Sequence, residues 1–345
     1  MNAISADLNP ANLRPTVEIR PFTENDYEAV VAVERVVWPD YPQTADEWRF
    51  RDQSRDPKCR QARFVAEVAG TDTAVGYGSY YQWADMYHPR KFHVNVSVLP
   101  EWQNCGIGER LYDQVTDSLK PFDPLVLRAM TRDDQKAAVH FLARRGYVEE
   151  MRDWESRLEM AAFDPAAFAQ AEARIAGHGI TITTLADLQK QEEDWARKLF
   201  DLDWTVTLDM PSPDTLTQPT FEHWEKSALQ NPNLLPDAWF IALDGDRLVG
   251  ESALWKEGGG KDLNVGATGV RREYRRRGIA LALKLRACAF AKTYGCAQIR
   301  TWNAQSNRAM LSINEALGFV KQPAWIAYAK TLKNDPDIPE RTEAK

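Results

Sequence analysis

The sequence predicts an α/β protein made of two tandem domains, and three observations support this fold class. The chain has 345 residues, which is more than a single hydrophobic core usually organises. Strand-like and helix-like runs alternate along it, as expected for sheets flanked by helices. The stretch from Val98 to Tyr147 recurs without a gap at an offset of 172 positions, which indicates that one domain has been duplicated.

The repeat is clearest where VLPEWQNCGIGERL (98–111) is aligned with VRREYRRRGIALAL (270–283). This alignment pairs Gly106 with Gly278, and at the same offset RRGY further along pairs with ALGF. Before these stretches the pairing continues with shifted offsets, as when VEIRPF is set beside ITITTL. Surface loops of different length would account for the shifts.

The repeat sets the predicted domain boundaries. We predict a first copy over residues 1–160 and a second copy over 180–333. Between them an alanine-rich linker helix is predicted over 161–179, ended by Gly-His-Gly. The polar, proline-containing residues 334–345 are expected to form a flexible tail.

Each copy contains the same predicted elements in the same order. A short alternating strand, VEIR or ITIT, leads into helices rich in acidic residues and Trp. Three strands follow, which are FVAEV, VGYGSYY and HVNVSV in the first copy and FIALD, VGESALW and LNVGATGV in the second. A glycine turn then opens a long helix, and a strand, a second helix and a final strand (WESRLEM or WIAYAKTL) complete the copy.

Composition narrows the function classes. A formal net charge of −7 argues against a protein whose main partner is a nucleic acid or an anionic membrane. No stretch approaches the ~18 apolar residues of a membrane span, and the N-terminus lacks the apolar core of a signal peptide. The four cysteines form no CxxC pair and have no His partner at metal-ligand spacing. We therefore expect a soluble cytoplasmic protein that uses no metal.

The glycine turn of each copy predicts an anion-binding site. It follows a strand rich in β-branched residues and opens a helix, so backbone N–H groups and the positive end of the helix dipole converge on one spot. Glycine permits close approach and positive φ, and a pyrophosphate would fit there. The turn is neither a Walker A loop nor a GxGxxG motif.

A more specific pattern recurs around the two turns. The pattern Q-x-x-G-x-G begins at Gln103 and R-x-x-G-x-A begins at Arg275, and each is followed by a second helix that ends in Gly-aromatic. This arrangement resembles the GNAT superfamily of acyl-CoA-dependent N-acyltransferases, whose signature is Q/R-x-x-G-x-G/A. The resemblance covers both copies, and the tandem arrangement is similar to that of the mycothiol synthase-like bacterial acetyltransferases. It implies two GNAT-like domains, each with a mixed, mostly antiparallel sheet flanked by helices.

The resemblance also implies acetyl-CoA as the acyl donor, held mostly by backbone N–H groups of the glycine turn. The residues that it assigns to acetyl-CoA binding are Thr268, Val270, Arg275, Arg276, Arg277, Gly278, Ile279, Ala280, Asn303 and Asn307 in the second copy, and Val98, Gln103, Asn104, Cys105, Gly106, Ile107 and Gly108 in the first. Two alternatives stay open. The arginine side chains could face solvent instead of a phosphate, and Asn307 could cap its helix.

The usual catalytic pair of the family is missing. Many members have a Glu on the strand before the turn and a Tyr near the end of the later helix; at these catalytic positions the second copy has Asn264 and Asn314. Glu251 and Asp262 are candidate bases acting through water, and Tyr328 is a candidate proton donor beside Asn314. The alternatives are solvated carboxylates and a core tyrosine.

The second copy is expected to be the catalytic one. In the first copy Gln135 and Leu142 replace the later Asn and any polar donor, although the turn is kept and could bind acetyl-CoA. His88 and His93 are possible bases there, and the alternative for both is a structural role. Cys105 is expected to contribute a backbone N–H and not a nucleophile, because ping-pong chemistry is not typical of the family.

The acceptor is expected to be a primary amine of a small molecule that attacks the thioester directly in a ternary complex. Four residues before the second turn could line a pocket for a cationic amine or could simply belong to a packed helix, namely Asp201, Asp203, Trp204 and Asp209. A protein or peptide N-acetyltransferase and a non-catalytic acyl-CoA sensor are the alternatives. Both a monomer and a homodimer are compatible with the sequence.

Overall fold

The computed structural model describes residues 15–168, 170–191 and 193–334. Of the predicted tail, only Asn334 falls within these ranges. Residues 1–14, where the sequence shows no signal-peptide core, also lie outside them.

The helices and strands follow the predicted order in both copies. In the first copy they are β1 (Val17–Pro21), α1 (Tyr27–Val37), α2 (Ala45–Ser54), β2 (Gln61–Val68), β3 (Ala74–Tyr81), β4 (Lys91–Val98), α3 (Ile107–Leu119), β5 (Val126–Arg132), α4 (Lys136–Arg144) and β6 (Val148–Glu159). The segment between the copies contains a 3₁₀ turn (Pro165–Phe168) and α5 (Ala171–Ala176). In the second copy they are β7 (Ile180–Thr184), α6 (Leu185–Gln191), α7 (Trp195–Thr207), α8 (Phe221–Trp224), β8 (Leu234–Asp244), β9 (Arg247–Lys256), β10 (Leu263–Val270), α9 (Ile279–Tyr294), β11 (Gln298–Ala304), α10 (Arg308–Ala316), β12 (Val320–Lys321) and β13 (Trp325–Thr331).

The ungapped repeat is confirmed element by element. Strands β10 and β11 and helix α10 begin 172 residues after β4, β5 and α4 respectively, and each has the same length as its counterpart. The region between the third strand and the later helix is therefore the same structure built twice.

The strands form one continuous mixed sheet in the order β1-β2-β3-β4-β5-β13-β6-β11-β10-β9-β8-β7, and β12 pairs with β6 beside this path. Neighbouring strands are antiparallel except for β4 with β5 and β10 with β11, which are parallel. The predicted fold class, a mixed and mostly antiparallel sheet flanked by helices, is confirmed.

The final strands are exchanged between the copies. β13 pairs with β5 from Trp325 to Thr331, and β6 pairs with β11 along the whole of the latter. The two exchanged strands also pair with each other at the centre of the sheet. The sequence predicted that each final strand completes its own copy, whereas in the structure it completes the other one. The domain boundary over 161–179 therefore stays a prediction.

The parallel strand pairs separate part-way along their length. β4 pairs with β5 only from Lys91 to His93, and β10 pairs with β11 only at Leu263 and Asn264. Beyond these positions the strand that leads into each glycine turn has one edge of unpaired backbone groups. A V-shaped gap therefore opens in the sheet next to each turn.

Helices cover both faces of the sheet. On one face α3 and α4 pack around Leu111 in the first copy, and α9 and α10 pack around Leu283 in the second. On the other face α1 and α2 pack around Val30, and α6, α7 and α8 pack around Leu199. Successive strand residues alternate between the two faces. The side chains on either side of β4 and β10 consequently belong to different cores.

A buried carboxylate joins the exchanged strands. Glu155 of β6 has 0% of its surface exposed. It accepts hydrogen bonds from the hydroxyl of Tyr41 and from Trp325 Nε1 of β13 at 3.1 Å, and it forms an ion pair with Arg157 at 2.6 Å. Because these groups come from the α1–α2 loop and from both exchanged strands, Glu155 holds the centre of the sheet together.

We expect Glu155→Ala to lower the free energy of unfolding by about 3–5 kcal/mol, because it leaves the donors of Tyr41 and Trp325 without their buried acceptor and removes one of the two ion pairs of Arg157. Guanidinium denaturation followed by tryptophan fluorescence measures the change. The matched control is Glu159→Ala on the same strand, an exposed residue bonded to Gln298, for which we expect less than about 1 kcal/mol. Equal effects of the two substitutions would contradict the role of Glu155.

Candidate active site

The two glycine turns are fixed by the same side-chain contact. In the first copy Gln103 Nε2 donates to the carbonyl oxygen of Val98 at 3.0 Å. In the second copy Arg275 Nε donates to the carbonyl oxygen of Val270, also at 3.0 Å. The first residue of the Q/R-x-x-G pattern therefore ties the turn to the end of the preceding strand, and a planar N–H donor is what the two residue types share.

The backbone of the two turns also matches. Asn104 and Arg276 have φ of 58° and 65°, and Gly106 and Gly278 have φ of 78° and 87°. These left-handed positions turn successive N–H groups toward the start of α3 and of α9. Both turns can therefore hold an anion at a helix N-terminus with backbone groups alone.

The arginine side chains around the second turn already have partners in the protein. Asp209 forms ion pairs with both Arg272 and Arg275, and Arg271 pairs with Asp201. These guanidinium groups hold the pKa of Asp209 below its ordinary value. Arg277 donates to the carbonyl oxygen of Glu273 at 3.0 Å. The second turn therefore offers an anion its backbone and the exposed side chain of Arg276.

A cleft of about 450 Å³ lies beside the first turn, and we call it the N-terminal cleft. It is bounded by the separated part of β4, by the turn and by α4, with Val96, Gln103, Gly106, Thr131, Gln135 and Phe141 in its walls. Thr131 Oγ1 is buried there without a hydrogen-bond partner among the described residues. The cleft therefore contains a polar atom suited to a ligand as well as the anion-binding turn.

A second cavity of about 510 Å³, the central chamber, lies between the two copies. The first copy supplies helices α1 and α2 and strand β3, and the second copy supplies α7 and α8. Its walls include Glu34, Trp48, Tyr77, Asp85, Asn95, Asp203, Trp204 and Trp224. Asn95 of β4 lines both the chamber and the N-terminal cleft, so the two cavities meet at this residue.

A hydrogen-bonded network stands where the cavities meet. The carboxyl of Glu34, whose exposed fraction is 9%, accepts from Tyr77 OH and from Ser97 Oγ, both at 2.7 Å. Asn95 Nδ2 donates to Tyr77 OH at 2.9 Å. Burial raises the pKa of Glu34 above its ordinary value, although the two hydroxyl donors oppose that rise. A carboxyl with a raised pKa is suited to accept a proton near neutral pH.

None of these four residues was predicted from the sequence. Glu34 and Arg35 are the two charged residues in the run VVAVERVVW, and a charge within an apolar run was the one signal that could have found Glu34. Tyr77, Asn95 and Ser97 lie on strands whose pattern predicts only alternation of faces. Their proximity depends on pairing between β3 and β4.

Glu251, a predicted base, is fully buried on β9 and accepts from Trp239 Nε1 at 2.9 Å. Burial and the neighbouring carboxyl of Asp203 raise the pKa of Glu251 well above its ordinary value. Its full burial and this raised pKa argue against its predicted role as a base. Asp203 accepts from Trp224 Nε1 at 2.7 Å and reaches the central chamber.

The other predicted residues of the second copy fall into two groups. Asn314 Nδ2 donates to Asn303 Oδ1 at 2.6 Å, so the structure brings these two together, and Asn314 Oδ1 has no partner among the described residues. Asp262 instead precedes β10 and accepts from Arg300 at 3.2 Å. Asn264, on β10, also has a buried Oδ1 that lacks a partner within the described ranges. Of these residues, only Asn303 and Asn314 form a polar pair near the V-shaped gap.

Two predicted residues have structural roles. Tyr328 lies on the exchanged strand β13 and packs in the core of the first copy, beside Leu142. Tyr328 therefore lies away from the second turn. It fits the alternative interpretation, that of a tyrosine packed in the core, better than that of a proton donor. Asn307 caps α10, accepting from the N–H of Met310 at 3.3 Å, as its capping alternative predicted. Thr268 hydroxyl contacts that of Ser252 at 2.9 Å.

The candidate groups of the first copy make contacts within the protein, and His88 Nδ1 accepts from the N–H of Arg90 at 3.2 Å. Burial lowers the pKa of His93 to about 4, so its ring is neutral at neutral pH, and it stacks on Tyr81 at 5.3 Å. Cys105 is exposed in the turn, and its Sγ contacts the carbonyl oxygen of Gln103 at 3.1 Å.

Across residues 15–168, 170–191 and 193–334, no helix is both long enough and apolar enough to cross a membrane. Within the same ranges, no three His, Cys, Asp or Glu side chains lie close enough together to hold a metal ion.

Comparison with known proteins identifies the relatives of this architecture. A model of the acetyltransferase (GNAT) family matches residues 27–147 and 196–319. The fold is similar to the tandem GNAT protein from the clavulanic acid biosynthesis pathway, with a TM-score of 0.70 and 17% identity over 93% of this chain and 100% of that one. It is also similar to a GCN5-related N-acetyltransferase from Sphaerobacter thermophilus, with a TM-score of 0.65 and 18% identity over 93% of this chain and 98% of that one. A search of curated proteins finds no match. At these identities the structural likeness shows the fold alone.

Proposed function

Because the chain belongs to the acetyltransferase (GNAT) family, we propose that it transfers an acetyl group from acetyl-CoA to a primary amine of a small molecule, by direct attack of the amine on the thioester. The observation that carries this proposal is the meeting of the N-terminal cleft and the central chamber at Asn95. One cavity lies beside the anion-binding turn and suits the donor, and the other suits the acceptor.

We infer that the first copy performs the transfer, in place of the second copy that the sequence favoured. Both sides of β4 open into a cavity at Asn95. In the second copy the acceptor side of β10 is packed: a Cβ at Gly269 would collide with Val206, and one at Gly266 would collide with Trp255. The second turn keeps its anion-binding backbone and stays a predicted binding site for acetyl-CoA.

The residues of the first copy fit the proposed donor. The backbone from Gln103 to Gly108 would hold the pyrophosphate, because no protein atom lies within 4 Å of the position of a Cβ at Gly106. The unpaired edge of β4 and Thr131 Oγ1 would bond the pantetheine amides. When bound, acetyl-CoA supplies an acetyl thioester whose carbonyl carbon accepts the amine.

The network at the junction supplies the remaining chemistry. Glu34 takes the proton that the amine loses while its nitrogen bonds to the acetyl carbon and the carbon–sulfur bond breaks. Tyr77 and Ser97 orient the carboxyl through their 2.7 Å hydrogen bonds. Asn95, whose Nδ2 donates one N–H to Tyr77 OH, would donate the other to the thioester oxygen, on which negative charge develops.

The enclosure of the chamber by both copies favours a small acceptor over a segment of a folded protein. The test of the proposal is calorimetric titration of acetyl-CoA, followed by thiol release across a panel of small amines. Binding without thiol release from any amine would favour the acyl-CoA sensor. Absence of acetyl-CoA binding would overturn the acyltransferase proposal.

We expect kcat/KM to rise with pH through the raised pKa of Glu34, because the base must lose its proton first. Ser97→Ala removes a hydrogen bond that lowers this pKa, so the acid limb of the pH profile should move to higher pH. The pH dependence of kcat/KM for one amine measures it. Ser79→Ala is the control, since Ser79 lines the chamber without a hydrogen bond to Glu34. A shift to lower pH in Ser97→Ala would contradict Glu34 as the base.

A further inference from the structure

The central chamber contains more carboxyl groups than the transfer reaction needs. Glu34 is occupied by the network described above, but Asp85 and Asp203 also line the chamber. Among the ion pairs of the described residues, none involves Glu34, Asp85 or Asp203. Burial raises the pKa of Asp85 and of Asp203 above their ordinary values. Carboxyls buried without a cationic partner are costly unless something neutralises them.

Asp203 is nevertheless supported as a carboxylate. Trp224 Nε1 donates to it at 2.7 Å, and this hydrogen bond opposes the rise in the pKa of Asp203 that burial causes. Glu251 behind it is fully buried, with one oxygen that has no partner among the described residues. The second copy therefore uses Trp224 to hold one carboxyl group in the wall of a chamber that serves the first copy.

The arginine and lysine side chains in or beside the chamber wall are either paired or peripheral, and burial lowers the pKa of His223, which also lines the chamber. Arg63 forms a pair with Asp52, with Nη2 to Oδ1 at 2.9 Å. Lys58 lies 3.5 Å from Asp56, another carboxyl in the wall. Arg51 is exposed and donates to Gln43 at 3.0 Å. Arg55 is half-buried in the wall. A ligand whose carboxylate binds these arginines is the alternative, and the test must distinguish it from a cationic ligand.

Aromatic rings complete the chamber. Trp48, Tyr81, Trp83, Phe200, Trp204 and Trp224 all line it. Rings beside unpaired carboxylates are the surroundings that ammonium groups prefer, because the ring faces add cation–π attraction to the charge. The same walls offer little to a neutral or an anionic end of an acceptor.

We propose that the acceptor carries a second cationic group, as a diamine or polyamine does, and that Asp85 and Asp203 hold this group while the reacting amine lies at Glu34. The proposal rests on the proposed function and specifies its substrate class. It also assigns the second copy a task, which is to supply Asp203 to the acceptor chamber of the first.

The test uses a series of α,ω-diaminoalkanes, each beside the n-alkylamine and the ω-amino acid of the same chain length. With saturating acetyl-CoA, we expect kcat/KM for the best diamine to exceed that for its monoamine by roughly tenfold to a hundredfold, as one charge-assisted contact provides. The ω-amino acid should be the poorest of the three. Equal values, or a preference for the ω-amino acid, would overturn the proposal.

Variants locate the second cationic group. Asp203→Asn and Asp85→Asn should each lower kcat/KM for the diamine by a larger factor than kcat/KM for the monoamine, so that the ratio of the two values falls. Asp201→Asn is the matched control, since it removes an exposed carboxyl from the same helix, one paired with Arg271. An unchanged preference in both chamber variants would overturn the assignment, and the wild-type amine series decides the substrate class even if a variant does not fold.

Direct calorimetric titration of the diamines without acetyl-CoA separates this inference from the proposed function. If diamine binding weakens in Asp203→Asn and no amine causes thiol release, the proposed acetyl transfer is rejected and the proposed cation site in the chamber is retained. If kcat/KM for thiol release is equal for all three compounds of a series, the proposed acetyl transfer is retained and the proposed preference for a diamine is rejected. Absence of diamine binding and of any diamine preference would reject the inference in every case.

Discussion

Gly106→Glu should weaken acetyl-CoA binding to the first copy by at least about 100-fold, which corresponds to about 2.7 kcal/mol. Nothing in the protein lies within 4 Å of the position of a Cβ at Gly106, so the new side chain has room. Its carboxylate would stand where the turn and the start of α3 attract an anion, and would exclude the pyrophosphate by charge and by volume. Calorimetric titration of acetyl-CoA measures the loss, and thiol release should disappear with it.

Two controls make this result specific. Gly70→Glu imposes the same left-handed strain, with φ of 76° and no atom within 4 Å of its Cβ position, in a hairpin turn away from the cleft. It should leave acetyl-CoA binding unchanged. Gly278→Glu makes the equivalent change in the second turn. If Gly278→Glu abolished turnover while Gly106→Glu did not, the second copy would be the catalytic one, as its sequence suggested.

Glu34→Gln should lower kcat by about 100-fold to 10,000-fold, the range that a general base contributes. Glutamine keeps an acceptor oxygen for Tyr77 and Ser97, so the network and the affinity for acetyl-CoA should survive. Steady-state thiol release with a saturating amine gives kcat, and calorimetry gives the affinity. The variant separates proton transfer from binding because it removes only the titrating group.

Glu28→Gln is the matched control for this substitution, since Glu28 is an exposed carboxylate on the same helix α1. It should retain wild-type kcat. A kcat of Glu34→Gln within about threefold of wild type would remove Glu34 from the mechanism. Proton transfer would then have to be assigned elsewhere in the chamber.

Much of the fold could be predicted because the residues that recur in the repeat are those whose type and spacing determine the backbone geometry. The glycines and the Q/R-x-x-G pattern recur at one offset, and the elements that they delimit recur at the same offset. The exchange of β6 and β13 could not be predicted this way. Both final strands have the same pattern and occupy the same place in their copies, and strand pairing uses backbone groups that either neighbour offers equally.

The site was predictable only where local sequence determines it. The turns from Gln103 and from Arg275 depend on residues within a few positions of one another. Glu34 becomes a catalytic candidate only because Tyr77 bonds it from 43 positions away. Asp203 reaches the chamber only because the two copies face each other. Contacts of this length have no signature in a single sequence.

The exchange of final strands also determines when the first copy can be completed during synthesis. β13 is the last of the described strands along the chain, yet it lies between β5 and β6, whose residues leave the ribosome more than 160 positions earlier. Until β13 emerges, β5 has an open edge, which is a template for unwanted pairing with other chains. Long-range strand pairing of this kind forms slowly. Nascent first copies therefore remain open to aggregation or chaperone binding until β13 has been synthesised, and a truncation that removes β13 would leave that edge exposed permanently.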